Sequence, residues 1–261
     1  DDEFPSNRIV WESLAQKFGV IIQQVRISAE NPEAELLEAI NSATLKPKLI
    51  SVSAVQYASG IKLDLAKLGK ACKENNVLFC VDAIQAVGAM EFKCDEWDID
   101  FAMADGHKWM LGPEGLGFFF IKQQHIQNLN LYQYGWHMIK GAGDFSIKNW
   151  QPADNAQRFE CGSPNMLASY ALEASTDLLL TAGLDNVAIA IEENHAFLQQ
   201  HLQALGAEIL SPLESRHRAG IITFKFEGVD SAWLYQQLMN NNVVCANRGG
   251  GVRFSPHFHT T

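Results

Sequence analysis

The sequence has no excess of basic charge: 20 Lys and Arg stand against 30 Asp and Glu, a formal net charge of −10 over 261 residues. Without a basic stripe to follow a phosphodiester backbone, a nucleic-acid partner is not expected. Long apolar runs are also missing. None approaches the roughly 20 residues that a membrane-spanning helix needs, so no membrane role is expected. The opening Asp1-Asp2-Glu3-Phe4-Pro5 has neither the basic nor the apolar region of a signal peptide. Cysteine is scarce and scattered. Cys72, Cys80, Cys94, Cys161 and Cys245 form no CxxC pair, which predicts reduced thiols in a cytoplasmic protein, with no disulfide framework or zinc site. What remains is 47% apolar and 19% charged, the balance of an α/β chain with a large core and one or two domains.

Residues 1–125 alternate between two patterns. Leu49 to Ser53 is a short β-rich run. From Asp64 to about Asn75, Leu65, Leu68, Ala71 and Cys72 recur at helical spacing. Val77 to Val81 is an uninterrupted apolar run of the kind found in strands buried on both faces. Residues 99–104 and 117–121 are further strand candidates. This order predicts a mostly parallel sheet covered by helices, placing residues 1–150 in a large α/β domain. Residues 126–164 carry little periodicity and read as a long connection. Helical patterning then runs from Asn165 to about Leu205, interrupted at Gly183. A strand over 221–226, a helix over 231–239 and a strand over 243–246 complete a smaller α+β unit, so that 151–261 reads as connection plus second domain.

In a parallel sheet, ligands bind beyond the carboxyl ends of the strands. The run 77–81 ends in Asp82, with Gln85 three residues on; the run 99–104 ends in Asp105-Gly106-His107-Lys108; the run 49–53 ends near Gln56-Tyr57. Each residue alone has an ordinary reading: Asp82 as a helix cap, Gln85 as a solvated helix residue, Lys108 as a surface charge. Together they place a carboxylate, an amide, an imidazole and an amine at one sheet edge. Pyridoxal phosphate (PLP) chemistry requires this set: a lysine for the Schiff base, and a carboxylate to keep the pyridine nitrogen protonated. The apolar flank Trp109-Met110-Leu111 would help to desolvate that lysine.

The segments "VDAIQAVGA" and "DIDFAMADGHKWMLGPEGLGFFFIK" resemble those of the class V aminotransferases of PLP fold type I, the group with cysteine desulfurases, selenocysteine lyases and isopenicillin N epimerase-like proteins. "EFPSN" (3–7), "RFECGSPN" (158–165), "RAGIITF" (218–224) and "GGGVRFSPHFHTT" (249–261) resemble further family segments in the same order. The resemblance implies that Lys108 carries PLP and moves protons between Cα and the cofactor. It implies that Asp82 faces the pyridine nitrogen, Gln85 the phenolic oxygen and His107 the phosphate. Ser163 stands where the family has threonine and would reach the phosphate of a neighbouring subunit, which implies a homodimer. Arg253 would bind the carboxylate of a small amino-acid substrate.

Three departures qualify this. The family's phosphate-cradling turn and ring-stacking residue are expected ahead of "EFPSN", and a helix is expected beyond Thr261, so the chain reads as a fragment of such a protein. Cys245, the nearest thiol to the arginine motif, falls at the end of an expected strand, too apolar for activation, although Arg248 is near. Tyr57 replaces an asparagine frequent in relatives, and Gln56 is the candidate to take over its contact. The leading expectation is a PLP-dependent enzyme acting at Cα by transamination, racemisation or elimination. The alternatives are cysteine desulfurase or selenocysteine lyase activity, and a fragment that folds and dimerises without retaining PLP.

Overall fold

The computed structural model of the chain describes residues 3–260. Its first sheet runs in the order β1 (Leu49–Ser53), β2 (Leu78–Asp82), β3 (Phe101–Asp105), β4 (Gly117–Ile121). The first three strands are parallel and β4 returns antiparallel along β3. The apolar run at β2 takes the interior place: Phe79, Cys80 and Val81 are all buried, as strands covered on both faces must be. The crossover from β1 to β2 is α3 (Leu65–Glu74). Asp64 caps it by accepting a hydrogen bond from the Lys67 amide at 2.9 Å, and Leu65, Leu68, Ala71 and Cys72 form its buried face.

α2 (Ala34–Asn41) lies beside α3 and buries Leu36 and Ile40 in the same core. α1 (Pro5–Phe18) differs: it buries no residue, and Ile9, Val10 and Phe18 are exposed. That explains why periodicity did not reveal it, since there is no core-facing stripe to read. The opposite face of the sheet packs Cys80, Phe101 and Ile121 against Ile126.

Residues 126–164 form a connection with only short 3₁₀ turns, as its composition suggested. α4 (Met166–Ala182) and α5 (Leu184–Ala204) meet at Gly183, whose φ of 84° breaks the helix and turns the axis by 82°. Leu179, Val187 and Ile191 of this pair complete the core over the first sheet. Among the described residues no single helix is long and apolar enough to cross a membrane, and no group of three His, Cys, Asp or Glu is placed to hold a metal ion.

The second sheet is antiparallel, in the order β5 (Glu208–Ile209), β6 (Ile222–Lys225), β8 (Gly251–Phe254), β7 (Ala246–Arg248). α6 (Ser231–Asn240), capped by Asp230, packs on β8. Here one expectation is corrected. The strand expected over 243–246 forms instead at 246–248, and its partner 251–254 was not foreseen. The β-branched pair Val243-Val244 looked like strand, but Val244 is 85% exposed. Ala246-Asn247-Arg248 is held as a strand by its ladder to β8 across Gly249-Gly250, both with positive φ.

Candidate active site

Asp82 closes β2 directly beside Ser53 at the end of β1, and β3 delivers Asp105 to the same edge. Past Asp105 the chain turns at once, with the Gly106 amide donating to Leu116 O and the Gly112 amide to Gly106 O, both at 2.8 Å. That turn carries His107 and Lys108. β2 thus leads into Asp82 and Gln85, and β3 into His107 and Lys108.

Burial lowers the Lys108 pKa below the ordinary lysine value. Arg253 and Arg248 push it the same way, while Asp82 and Asp105 oppose the shift. Those four names place Lys108 within the electrostatic reach of both sheets. Its Nζ also lies 5.7 Å from the centroid of the Phe4 ring, which in turn meets Tyr57 edge-on at 5.3 Å. A ring-stacking residue was expected outside this sequence. The chain's own Phe4, from the "EFPSN" segment, brings an aromatic ring to the lysine.

Asp82 is oriented by two donors. The Ile84 amide reaches Oδ1 at 3.0 Å and the Asn7 side-chain amide reaches Oδ2 at 2.8 Å. Gln85 is buried and accepts a 2.8 Å hydrogen bond from the Trp109 indole at Oε1. An indole N–H can only donate, so the carboxamide has one possible orientation and its NH₂ group is left as the donor.

Trp109, 5% exposed, is itself gripped from several directions. His257 Nε2 lies 2.9 Å from its carbonyl oxygen. Gly88, at φ 91°, lets that carbonyl approach so closely that a Cβ would stand 2.4 Å from it. Phe4, Asn7, Trp109 and His257 are the site residues that sequence reasoning missed. Phe4, Asn7 and His257 stood in quoted motifs without a role, and Trp109 was read only as an apolar flank.

Arg253 on β8 donates from Nη1 to the Tyr57 carbonyl at 2.5 Å, and its Nε is buried without a hydrogen-bond partner among the described residues. Burial and the neighbouring Arg248 lower its pKa. Arg248 lies over the Tyr57 ring at 5.8 Å. These contacts bring the second sheet's arginines to the end of β1. His107 Nδ1 sits 3.0 Å from Asp105 Oδ1. Gln56 is buried in the turn after β1, where its Oε1 accepts from the Ala58 and Ser59 amides and from Ser59 Oγ. Ser163 is exposed on the long connection. Cys245 packs against the core of the second sheet, and burial raises its thiol pKa.

The donor set fits PLP. A partly desolvated amine, a fixed carboxylate, an amide with its NH₂ left over, and a buried guanidinium Nε lacking a partner among the described residues match the cofactor's carbonyl, ring nitrogen and phenolic oxygen and a substrate carboxylate in turn.

Comparison with known proteins agrees with this chemistry. Two probable cysteine desulfurases are each 27% identical. The one from Chlamydia trachomatis aligns over 88% of this chain and 56% of its own length, and the one from Pyrococcus abyssi over 85% and 54%. The chain thus spans about half the length of the curated relatives it matches. Among solved structures, an apo cysteine desulfurase from Thermococcus onnurineus superposes with a TM-score of 0.87 at 24% identity, over 98% of this chain and 66% of the other. A variant of the cystine C–S lyase C-DES, with glycine covalently linked to its PLP cofactor, gives 0.85 at 21%, over 100% and 69%. The profile of the family "Aminotransferase class-V" matches residues 1–255. The chain belongs to the class V aminotransferases, a family of PLP-dependent enzymes.

Proposed function

We propose that the protein binds PLP through Lys108 and acts at the Cα of a small amino acid whose carboxylate is held by Arg253. The observation that carries this reading is the convergence on Lys108 of Asp82 from one sheet and Arg253 from the other. Bound PLP supplies an electron sink for the charge that develops when a bond to Cα breaks.

The residues of the chain supply the rest. Asp82 keeps a proton on the ring nitrogen, and the Gln85 NH₂ donates to the phenolic oxygen. Lys108 has its amine form favoured by burial and takes and returns the Cα proton. Arg253 orients the substrate by its carboxylate, in the bidentate manner that guanidinium permits. His107 faces the cofactor phosphate, and the exposed Ser163 is available to a second copy in a homodimer.

Transamination, racemisation and elimination all start from proton removal at Cα. The names of the relatives point to desulfuration of cysteine, but Cys245 packs against the core of the second sheet and burial raises its thiol pKa, the opposite of what an activated thiol needs. The test is titration with PLP followed by borohydride reduction. The expected result is an adduct on Lys108 that disappears in Lys108→Ala while the fold is kept. An adduct on another lysine, or none, overturns the reading.

A further inference from the structure

The start of α1 reaches the site in a way that the proposed function does not use. Phe4 and Asn7 are three residues apart and share one face of the first helical turn. Phe4 faces Lys108, and Asn7 faces Asp82. The Asn7 NH₂ group serves two carboxylates at once, donating to Asp82 Oδ2 at 2.8 Å and to Glu3 Oε2 at 3.2 Å. Glu3 is held in its turn at the end of the neighbouring strand. It accepts from the Ser53 amide at 2.8 Å and from Ser53 Oγ at 2.5 Å.

An amide placed between two acceptors must turn its nitrogen toward both, so Glu3 fixes the orientation of Asn7 and Asn7 fixes the rotation of Asp82. Among the described residues Asn7 is the only side chain that donates to Asp82; the other donor is the Ile84 amide of the adjoining turn.

We infer that Asn7 is a positioning residue for the cofactor, acting through Asp82, with Glu3 and Ser53 as its anchor. The inference rests on the PLP reading above and adds to it. Each Asp82 oxygen accepts one fixed donor and keeps a lone pair for the ring N–H. Without Asn7 the carboxylate keeps only the Ile84 amide and can rotate away. Ring-nitrogen contact then becomes intermittent, and cofactor affinity falls. A charge-assisted hydrogen bond of this kind corresponds to a loss of about tenfold to a hundredfold in affinity when removed.

The experiment is a double-mutant cycle read as the PLP dissociation constant, followed by the change in cofactor absorbance on binding. Asn7→Leu removes the donor and suits a helix. Asn7→Asp keeps the size but sets a third carboxylate against Asp82 and Glu3. Each is made in the wild-type and the Asp82→Ala backgrounds, with circular dichroism to compare the folds. Expected is a weakening of tenfold or more when Asp82 is present and less than about twofold when it is absent. Equal weakening in both backgrounds means that Asn7 only supports the fold, and overturns the inference. Unchanged affinity in Asn7→Leu overturns it while leaving the PLP reading intact. Wild-type protein that takes up no PLP overturns both.

Discussion

His195 sits on α5 with no exposed surface, its ring facing the Ile221 backbone. Burial, reinforced by the Arg218 guanidinium, drives its pKa from 6.5 down to about 4, against weaker opposition from Glu192 and the Ile221 backbone. The folded protein therefore keeps this ring neutral through a range in which the unfolded chain protonates it. Above pH 6.5 neither state holds the proton, and the stability is intact. As pH falls from 6.5 towards 4 the unfolded state binds the proton and the folded state does not, so stability drains away. At about 1.4 kcal/mol per pH unit, the gap between 6.5 and about 4 corresponds to roughly 3 kcal/mol, of which about 2 kcal/mol is gone by pH 5. The perturbation is His195→Leu, which fills similar volume without a titrating group. Urea unfolding of both proteins at pH 7 and pH 5 isolates the contribution of this residue, because other histidines such as His257 titrate in both. The wild type should lose about 2 kcal/mol more than the variant on acidification. Parallel losses would refute the account, and would mean that the ring is solvated or protonated in the fold.

Three further outcomes are expected. Gly88→Ala should cost about 2–4 kcal/mol in chemical denaturation, since a Cβ at φ 91° would stand 2.4 Å from the Trp109 carbonyl oxygen and must displace the backbone of the lysine turn. Asp82→Asn should bind PLP yet turn over amino acids slower by several orders of magnitude, in steady-state assays of the loaded enzyme, because the ring nitrogen loses its anionic partner. Cys72, Cys80 and Cys94, with thiol pKa values raised by burial to about 12, about 11 and about 11, should resist alkylation at pH 8 until denaturant is added, as mass spectrometry would show.

The parts of this site that could be read from sequence are those set by local pattern. Asp82 and Lys108 follow apolar runs short enough to be buried strands, and strand ends in a parallel sheet share an edge. α3 announces itself by its cap and its stripe. What stayed hidden depends on distant pairing. The Asn7–Asp82 contact joins residues 75 apart, and the His257–Trp109 contact joins residues 148 apart, separations on which periodicity is silent. β7 and β8 were misjudged for the reverse reason: their ladder overrides weak local preferences around a glycine pair, whereas Val243-Val244 has the preference and no partner strand.

The grip on Trp109 has a consequence in time. A chain leaves the ribosome in order, and domains gather as their residues appear. Asp82, Gln85 and Lys108 emerge long before His257. Yet the indole that orients Gln85 is attached to a carbonyl that His257 holds. The turn that carries Lys108 therefore lacks this brace until the "SPHF" segment is made. Gln85 gains its fixed orientation only after a stretch of chain 148 residues beyond Trp109 has been made.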